Sequence, residues 1–261
     1  MDRTYVVTGS ASGIGKATKE LLEERGNRVI GVDIAGADIA VDLSTTEGRE
    51  QLVVEATQLS GGTIDGVLSI AGLLAPTPAT VSVNYFGMIA VLEGMLPLLS
   101  SSNSPRAAGV ASMASVRDFD SALVDAMRDG DESAARARAT ELAAQSEGLG
   151  GGLIYASTKR AFAQWVRRAA PTDRWAGAHI PLNAIAPSIV VTPMSAPELG
   201  TEVARAHMRE RRPMPLNGFA EPIAPARLLA WLTSVENSHL CGQVIFIDGG
   251  ADALMRGDSV W

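Results

Sequence analysis

The stretch YVVTGSASGIGKAT, residues 5–18, decides the fold of this 261-residue chain. An apolar run ends at Thr8, a helix-like pattern follows from Lys16, and three glycines lie between them, at Gly9, Gly13 and Gly15. A helix begins with unpaired backbone N–H groups at the positive end of its dipole, and glycines let a pyrophosphate approach both closely. An ordinary tight turn would also use glycine. This spacing between a strand and a helix favours a cofactor cradle over such a turn.

The rest of the chain alternates short β-rich runs with helical stretches, which is typical of a parallel sheet with helices on both faces. Strands are predicted at Thr4–Thr8, Arg28–Val32, Ile39–Asp42, Gly66–Ala71, Gly109–Ser112, His179–Ile185 and Gln243–Ile247. Ser44 and Glu47 form a capping-box pattern that predicts a helix start after the third strand. The predicted fold class is therefore α/β, with one Rossmann-type domain over residues 1–261 and a doubly wound parallel sheet of about seven strands.

Two segments interrupt the alternation of strands and helices. Residues 117–150 contain an Ala-rich, charged part followed by a glycine run, and we expect an inserted helical excursion there. Residues 193–217 contain several prolines that flank a helix-like piece with His207. We expect this second segment to fold over a bound ligand.

Composition and charge exclude several classes of partner. The net charge of −7 argues against nucleic-acid binding, which usually needs a basic face. No uninterrupted apolar run approaches the roughly eighteen residues of a membrane helix, so no membrane contact is predicted. The single Cys241 and the lack of a leader before the first strand predict a cytoplasmic protein. The three histidines show no metal-ligand spacing, and no metal is predicted.

Asp33 ends the second predicted strand, eighteen residues beyond Gly15. A dinucleotide-binding fold presents a carboxylate to the adenosine ribose at about this position. The 2′-phosphate of NADP would meet a like charge there, and residues 34–37 contain no lysine or arginine. The sequence therefore predicts NAD(H) as the cofactor, and the alternative for Asp33 is a solvated loop carboxylate.

These features resemble the short-chain dehydrogenase/reductase family over essentially the whole chain. Its T-G-x-x-x-G-x-G motif matches residues 8–15, and its Y-x-x-x-K motif matches YASTK at 155–159. Asp42-Leu43, VNYFG at 83–87 and IDGG at 247–250 extend the match. VDLSTTEGR, VSVNYFG and IDGGADALMR are similar to the bacterial 3α-hydroxysteroid dehydrogenase/carbonyl reductases, which also carry an insertion of this form.

The resemblance implies the site residues. The cofactor-binding set would comprise Thr8, Gly9, Ser12, Gly13, Ile14, Gly15, Asp33, Ile34, Asp42, Leu43, Ala71, Gly72, Asn84, Tyr155, Lys159, Pro187, Ile189, Val190 and Thr192. The catalytic set would comprise Ser112, Tyr155, Lys159 and, as a proton relay, Asn84; the substrate set would comprise Ser112, Ser115, Tyr155, Ser188 and Met194. Ile70 and Ser188 stand where relatives commonly have asparagine and glycine, and Ser188 is expected near the nicotinamide end of the cofactor.

Elementary chemistry supports the Tyr155–Lys159 pair. Hydride transfer to or from an alcohol carbon needs a proton acid/base at the attached oxygen, and a free tyrosine, with a pKa of about 10, is a poor base. Positions i and i+4 share a helix face. An ammonium at about 5 Å would favour the phenolate by roughly 3 kcal/mol, or about two pKa units. Without the other motifs, such a pair would indicate only a helix surface contact.

A hydroxyl at the end of the fifth strand should hold the substrate oxygen. Ser112 continues the apolar run of that strand and is favoured over Ser115, which is interpreted as a turn or pocket residue. Tyr155 follows Ser112 by 43 residues, whereas relatives usually have about a dozen between the two, and the insertion explains the difference. The insertion predicts an altered oligomer interface, and a substrate lid or a solvated helix are the alternatives.

Together these inferences predict an NAD(H)-dependent oxidoreductase that interconverts a secondary alcohol and a ketone on a hydrophobic substrate such as a steroid or terpenoid. We expect a homodimer or homotetramer, as the resemblance implies. The alternatives are a non-catalytic NAD-sensing protein and a carbonyl reductase of small ketones. Enoyl-thioester reductases of the family space the tyrosine and lysine more widely, and a halohydrin-type lyase would lack a working dinucleotide site.

Overall fold

A seven-stranded parallel sheet runs through the centre of the protein, of which the computed structural model describes residues 3–145 and 150–260. The strands lie in the order β3-β2-β1-β4-β5-β6-β7, and every neighbouring pair is parallel. Their bounds are β1 Thr4–Thr8, β2 Arg28–Asp33, β3 Ile39–Ala40, β4 Gly66–Ser69, β5 Arg106–Val110, β6 Leu182–Pro187 and β7 Val244–Ile247. The order reverses between β1 and β4, which is where ligands bind in sheets of this kind.

Helices connect the strands on both faces. They are α1 Gly13–Glu24, α2 Thr46–Ser60, α3 Pro78–Val81, α4 Met88–Gly94, α5 Leu96–Leu99, α6 Ser121–Arg128, α7 Glu132–Gln145, α8 Gly150–Ala169, α9 Ala196–Leu199, α10 Glu202–Arg211, α11 Ile223–Leu232 and α12 Ala251–Arg256. A π-helical turn, Ser82–Gly87, joins α3 to α4, and a 3₁₀ turn, Met113–Val116, follows β5. The predicted doubly wound Rossmann fold is confirmed.

The strands are apolar without alternation because each face of the sheet has its own core. Val6 of β1 belongs to the core under α2, α4 and α8, whereas Tyr5 and Val7 belong to the core under α1 and α11. Side chains alternate between the two faces of a strand, so a strand covered on both sides needs apolar residues at every position. The two cores fix the edge of the sheet at which the site is built.

All seven predicted strands are present, but several bounds differ. β5 begins at Arg106, which pairs with Gly66 of β4, and the buried Arg106 guanidinium donates hydrogen bonds to the carbonyl oxygens of Asn237 and Pro105. β6 begins only at Leu182, since His179 has a φ of 59° and belongs to a turn. β3 ends at Ala40 and β4 at Ser69, earlier than expected.

The predicted capping box is wrong by one residue. The cap of α2 is Thr45, whose hydroxyl accepts a hydrogen bond from the Gly48 N–H at 3.0 Å. Ser44 is instead held by its own N–H, which donates to Asp42 Oδ1 at 2.8 Å. The Ser44–Glu47 spacing resembles a capping box, but the Asx turn at Asp42 delays the helix start.

The stretch Pro78–Leu99 has 22 residues and a mean hydropathy of 1.4, so by length and composition alone it could cross a membrane. No uninterrupted apolar run is present there, since Asn84 and Glu93 interrupt it. In the protein, 67% of the most apolar part of this stretch is buried, and Met88 and Leu92 belong to the core beneath α8. Its position as the central core helix accounts for its apolar character.

The two irregular segments are helical, as predicted. In the insertion, α6 and α7 pack against each other and against α8, and α7 also packs against α3. Residues 146–149, which include the beginning of the predicted glycine run, lie outside the described residues, and the rest of the run begins α8. In the second segment, α9 and α10 follow a β-bridge between Val190 and Ala220, and His207 lies on α10.

Candidate active site

A cleft of about 480 Å³ opens at the carboxyl edge of the sheet. It is lined by most of the predicted site residues: Gly9, Ser12, Gly13, Ile14, Gly15, Asp33, Ile34, Asp42, Leu43, Ala71, Gly72, Ser112, Tyr155, Lys159, Pro187, Ser188, Ile189, Val190, Thr192 and Met194. Thr8, Asn84 and Ser115 do not line it. The cleft therefore joins the glycine turn at one end to the tyrosine, lysine and serine at the other.

The glycine turn is a backbone surface that side chains would fill. A Cβ atom at Gly15 would overlap the carbonyl oxygen of Gly9, and one at Gly9 would lie 3.1 Å from the backbone nitrogen of Ala71. Gly9 also has a φ of 70°, in the region that favours glycine. Ser12 precedes α1 without a side-chain capping bond, and the first turn of α1 has no acidic residue. The first N–H groups of α1 therefore have no side-chain cap and suit an anionic group.

Asp33, at the end of β2, also lines the cleft. Its carboxylate accepts hydrogen bonds from the backbone N–H groups of Ala11 at 2.9 Å and Ile34 at 2.7 Å. These bonds hold the carboxylate at the rim, beside the exposed Ile34. The predicted position of this acid at the end of β2 is confirmed, and its role toward a ribose stays a prediction.

Ser112 and Tyr155 meet at the opposite end of the cleft. Ser112 caps the 3₁₀ turn after β5, where its hydroxyl accepts a hydrogen bond from the Ala114 N–H at 3.1 Å. Tyr155 on α8 is partly exposed in the cleft. Burial raises the pKa of the Tyr155 phenol, and a hydrogen bond with the Ser112 side chain opposes that rise. The fold thus brings together two residues 43 positions apart.

Lys159 lies one helical turn beyond Tyr155 and is 3% exposed. Its ammonium is 5.7 Å from the centre of the Tyr155 ring and donates a hydrogen bond to the Val110 carbonyl oxygen at 2.7 Å. Burial lowers the pKa of Lys159 to about 7. The predicted placement on the phenol's side of the helix is therefore observed.

The predicted acidification of Tyr155 is wrong for the protein by itself. We expected the lysine charge to lower the phenol pKa, but burial raises that pKa and only the Ser112 hydrogen bond lowers it. Burial disfavours the charged form of both groups, so a lysine with a pKa of about 7 is only partly charged at neutral pH. Burial therefore shifts both pKa values, that of the phenol upward and that of the ammonium downward.

Comparisons with known proteins agree with this geometry. Residues 9–252 match a family model described as enoyl-(acyl carrier protein) reductase. The chain is 36% identical to the 3-alpha-hydroxysteroid dehydrogenase/carbonyl reductase of Comamonas testosteroni, over 96% of this chain and 97% of that protein. The chain belongs to the short-chain dehydrogenase/reductase family. The predicted family and oxidoreductase class are confirmed.

Two further relatives of this short-chain dehydrogenase/reductase have different named activities. The crystal structure of the 3-alpha-hydroxysteroid dehydrogenase from Pseudomonas sp. B-0831, complexed with NADH, superposes with a TM-score of 0.86 and 40% identity, over 98% of this chain and 99% of that one. The 3-oxoacyl-[acyl-carrier-protein] reductase of Thermotoga maritima is 28% identical, over 95% of this chain and 97% of that protein. The predicted NAD(H) cofactor agrees with the NADH in the Pseudomonas structure.

Asn84 of this short-chain dehydrogenase/reductase is fully buried behind the cleft rather than in it. Its side-chain oxygen accepts from the Leu73 N–H at 2.7 Å, and its amide nitrogen donates to the Leu73 carbonyl at 2.9 Å and to Thr158 Oγ1 at 3.3 Å. A Cβ atom at Gly72 would lie 3.3 Å from Asn84 Oδ1 and 3.6 Å from Lys159 Nζ. The observed bonds brace the loop after β4 against α8.

Thr8 and Ser115, also outside the cleft, have structural contacts. The Thr8 hydroxyl accepts hydrogen bonds from the N–H groups of Ile70 at 2.9 Å and Ala71 at 3.0 Å, which ties the end of β4 to the glycine turn. Ser115 is buried, and its backbone N–H donates to the Ser112 carbonyl at 2.9 Å. Ser115 is not among the residues that line the cleft, and its expected contact with substrate stays a prediction.

The departures from the family pattern have different surroundings. Ile70 packs in the core under α1 and α11, so an apolar residue suits its position. Ser188 lines the cleft, and its hydroxyl is buried without a hydrogen-bond partner among the described residues. A polar atom in that state usually has a partner that a ligand or water supplies.

The sequence indicated Met194 at the apolar mouth of the cleft but missed Leu73 and Leu74. Leu73 and Leu74 line the cleft and are 38% and 39% exposed, and Met194, which lines the same cleft, is 42% exposed. Glu198 on α9 is an acidic residue at the same cleft. The available signal was the position of two leucines directly after Gly72, where a loop at the carboxyl end of a strand faces ligand rather than core.

Proposed function

We propose that this protein is an NAD(H)-dependent dehydrogenase/reductase that interconverts a secondary alcohol and a ketone on a hydrophobic substrate. The observation that carries the proposal is that Ser112, Tyr155 and Lys159 line the same cleft as the glycine turn, with the Lys159 ammonium 5.7 Å from the centre of the Tyr155 ring. The names of the Comamonas and Pseudomonas relatives support this reaction class.

The cleft fits a dinucleotide. The glycine turn offers uncapped N–H groups for a pyrophosphate, and Asp33 offers a carboxylate for ribose hydroxyls. The buried, unpartnered Ser188 hydroxyl offers a hydrogen bond at the other end of the cleft, where a nicotinamide carboxamide would need one. When bound, the nicotinamide supplies or accepts the hydride. The like charge of Asp33 favours NAD(H) over NADP(H).

Tyr155 moves the proton in this proposal. Burial raises the pKa of its phenol, so the residue is protonated at neutral pH and ready to donate a proton to a ketone oxygen. Ser112 holds the same oxygen and stabilises the phenolate that remains. In the oxidation direction Tyr155 must first lose its proton, and a charged Lys159 favours that loss. Asn84 positions α8 through Thr158.

Tyr155 and Lys159 argue against two alternatives. A non-catalytic NAD-sensing protein would not need a buried lysine beside a hydrogen-bonded tyrosine, because burying this ammonium costs stability. Their four-residue spacing favours alcohol and ketone chemistry over enoyl-thioester reduction.

The mouth of the cleft sets the substrate class. Leu73, Leu74 and Met194 present apolar surface at the entrance, which suits a steroid or terpenoid skeleton. Small ketones are the alternative substrates, and a KM that falls steeply with added apolar area would exclude them. The cytoplasmic location and the homodimeric or homotetrameric state remain predictions from the sequence.

The deciding experiment replaces Tyr155 by phenylalanine. Turnover of hydrophobic secondary alcohols with NAD⁺, followed at the NADH absorbance, should fall by roughly 10²–10⁴-fold. The dissociation constant for NADH should stay within about twofold, because the pyrophosphate cradle is untouched. Tyr85→Phe is the matched control, since Tyr85 is also buried but does not line the cleft. Equal turnover of the two variants would refute the role of Tyr155.

A further inference from the structure

The inserted helix α7 is joined to α2 by a partly buried ion pair between Glu132 and Arg49. Glu132 accepts two hydrogen bonds from the Arg49 guanidinium, at 2.7 and 2.8 Å. The Arg49 and Glu132 side chains are 11% and 27% exposed. Two parallel bonds between a guanidinium and a carboxylate fix the geometry of both groups.

Arg49 also donates hydrogen bonds to two backbone carbonyl groups, one of which belongs to a residue that lines the cleft. Its Nε donates to the Leu43 carbonyl oxygen at 2.8 Å, and its Nη2 donates to the Ser82 carbonyl oxygen at 2.9 Å. Leu43 lines the cleft, and Ser82 begins the π-helical turn that contains Asn84. Every nitrogen of the guanidinium therefore has an acceptor, and each acceptor belongs to a different segment of the chain.

The insertion also reaches the Ser82 hydroxyl. Arg136, one turn beyond Glu132 on α7, donates to Ser82 Oγ at 2.6 Å. Burial pushes the pKa of Glu132 upward, but hydrogen bonds from Arg49 and Ser82 and the charges of Arg49 and Arg136 outweigh it and hold this pKa below its ordinary value. The carboxylate is thus ionised at neutral pH, and its loss would leave Arg49 partly buried without a charged partner.

We propose that Glu132 and Arg49 are positioning residues through which the insertion holds the Leu43 wall and the Ser82 turn, and so sets the affinity for the dinucleotide. The proposal rests on the proposed function, because it takes the cleft to be the NAD(H) site. Without Glu132, the charged Arg49 side chain is more stable when it turns toward water. The two carbonyl groups then lose their donor, and the wall segment of the cleft loosens.

A second ion pair in the insertion provides the matched control. Arg138 donates to Asp120 Oδ2 at 2.7 Å and to Oδ1 at 3.1 Å, with side chains 30% and 13% exposed. Asp120 contacts the catalytic helix, since its N–H donates to Ser157 Oγ at 2.9 Å. Breaking this pair disturbs the same insertion without touching Leu43 or Ser82.

The test compares Glu132→Met with Arg138→Met in the full chain. Glu132→Met should raise the dissociation constant for NADH, measured by fluorescence titration, about tenfold, and should raise the KM for NAD⁺ more than it lowers kcat. Arg138→Met should leave the dissociation constant within twofold. Glu132→Gln, which keeps an acceptor oxygen, should recover part of the affinity.

Hydrogen exchange of the nucleotide-free protein gives a readout that does not need bound cofactor. Segments 43–49 and 82–87 should exchange faster in Glu132→Met than in wild type, and at the wild-type rate in Arg138→Met. Equal effects of the two variants on affinity, or a Glu132→Met protein that melts earlier but binds NADH normally, would overturn the proposal. A wild-type protein that binds no NADH would instead overturn the proposed function itself.

Discussion

The two ends of the cleft are built from different materials. The glycine turn presents backbone atoms, and its residues lie within one short stretch of chain, residues 8–15. The opposite end presents the side chains of Ser112, Tyr155 and Lys159, which come from two segments separated by the insertion. The first end depends on the absence of side chains, and the second depends on how deeply its side chains are buried.

This difference teaches that the two ends are sensitive to different changes. A backbone cradle is damaged by any added atom, whatever its chemistry. The tyrosine and lysine are instead sensitive to solvent and to neighbouring hydrogen bonds, because burial shifts the pKa of both side chains. The predictions below test each end in turn.

Gly15→Ala should have the largest effect. The new methyl group would overlap the Gly9 carbonyl oxygen, and such overpacking costs roughly 3 kcal/mol, or about a hundredfold in affinity for NADH. Titration of NADH fluorescence measures this loss. Gly152→Ala is the control in the catalytic helix, where the added Cβ meets nothing within 4 Å, and it should leave affinity unchanged. Similar losses of NADH affinity in both variants would mean that the close packing of Gly15 against Gly9 is not what the glycine turn depends on.

Ser112→Ala should reduce kcat by roughly 10–100-fold, because a hydrogen bond to a charged group contributes about 1.5–3 kcal/mol. The pH profile of oxidation should also move to higher pH, since the remaining influence on the Tyr155 phenol is burial, which raises its pKa. Ser115→Ala is the control, since Ser115 does not line the cleft. An effect of Ser115→Ala on kcat as large as that of Ser112→Ala would contradict the assignment.

Lys159→Met should stabilise the nucleotide-free protein, and the gain should depend on pH. The folded-state pKa of about 7 lies below the unfolded value, so the unfolded chain binds more protons between these two pKa values. The cost of burying the ammonium is complete below pH 7 and diminishes as the pH rises toward 10.5. Urea unfolding at pH 6.5 and pH 9 should show the advantage of Met shrinking by roughly 2 kcal/mol. A pH-independent difference would contradict the burial argument.

Replacing Asp33 by serine together with Ile34→Arg should have the smallest effect. The change removes a like charge and adds a cation where the 2′-phosphate of NADP would lie, and a surface charge pair contributes about 1–4 kcal/mol. The ratio of kcat/KM values for NAD⁺ and NADP⁺ should shift toward NADP⁺ by at least about tenfold. Glu24→Ser, on the far end of α1, controls for general charge. An unchanged ratio would contradict the proposal that the Asp33 charge favours NAD(H) over NADP(H).

Local sequence was sufficient for the fold and for the backbone end of the cleft. The seven strands, the glycine turn and the carboxylate of Asp33 follow from hydrophobic runs and short spacings, and they lie where the sequence predicts them. Local patterns carry this information because strands covered on both faces must be apolar and turns must be glycine-rich.

The sequence could not predict what depends on distant segments. The direction of the Tyr155 pKa shift depends on burial, and the Asn84 side chain is occupied by Leu73 from the loop after β4. The cap at Thr45 depends on a turn centred on Asp42. The first two results require the position of a second segment in space, and the third requires the geometry of a local turn; a residue spacing specifies neither.

The π-helical turn at Ser82–Gly87 restricts how the length of this helix can vary. A π turn accommodates one residue more than an α-helix would over the same distance. Deleting any one residue within it would restore α-helical spacing and rotate the preceding residues by about 100° relative to the following ones. Asn84 would then leave Leu73 and Thr158, although no residue type had changed. Insertions and deletions are therefore harder to tolerate in this turn than substitutions.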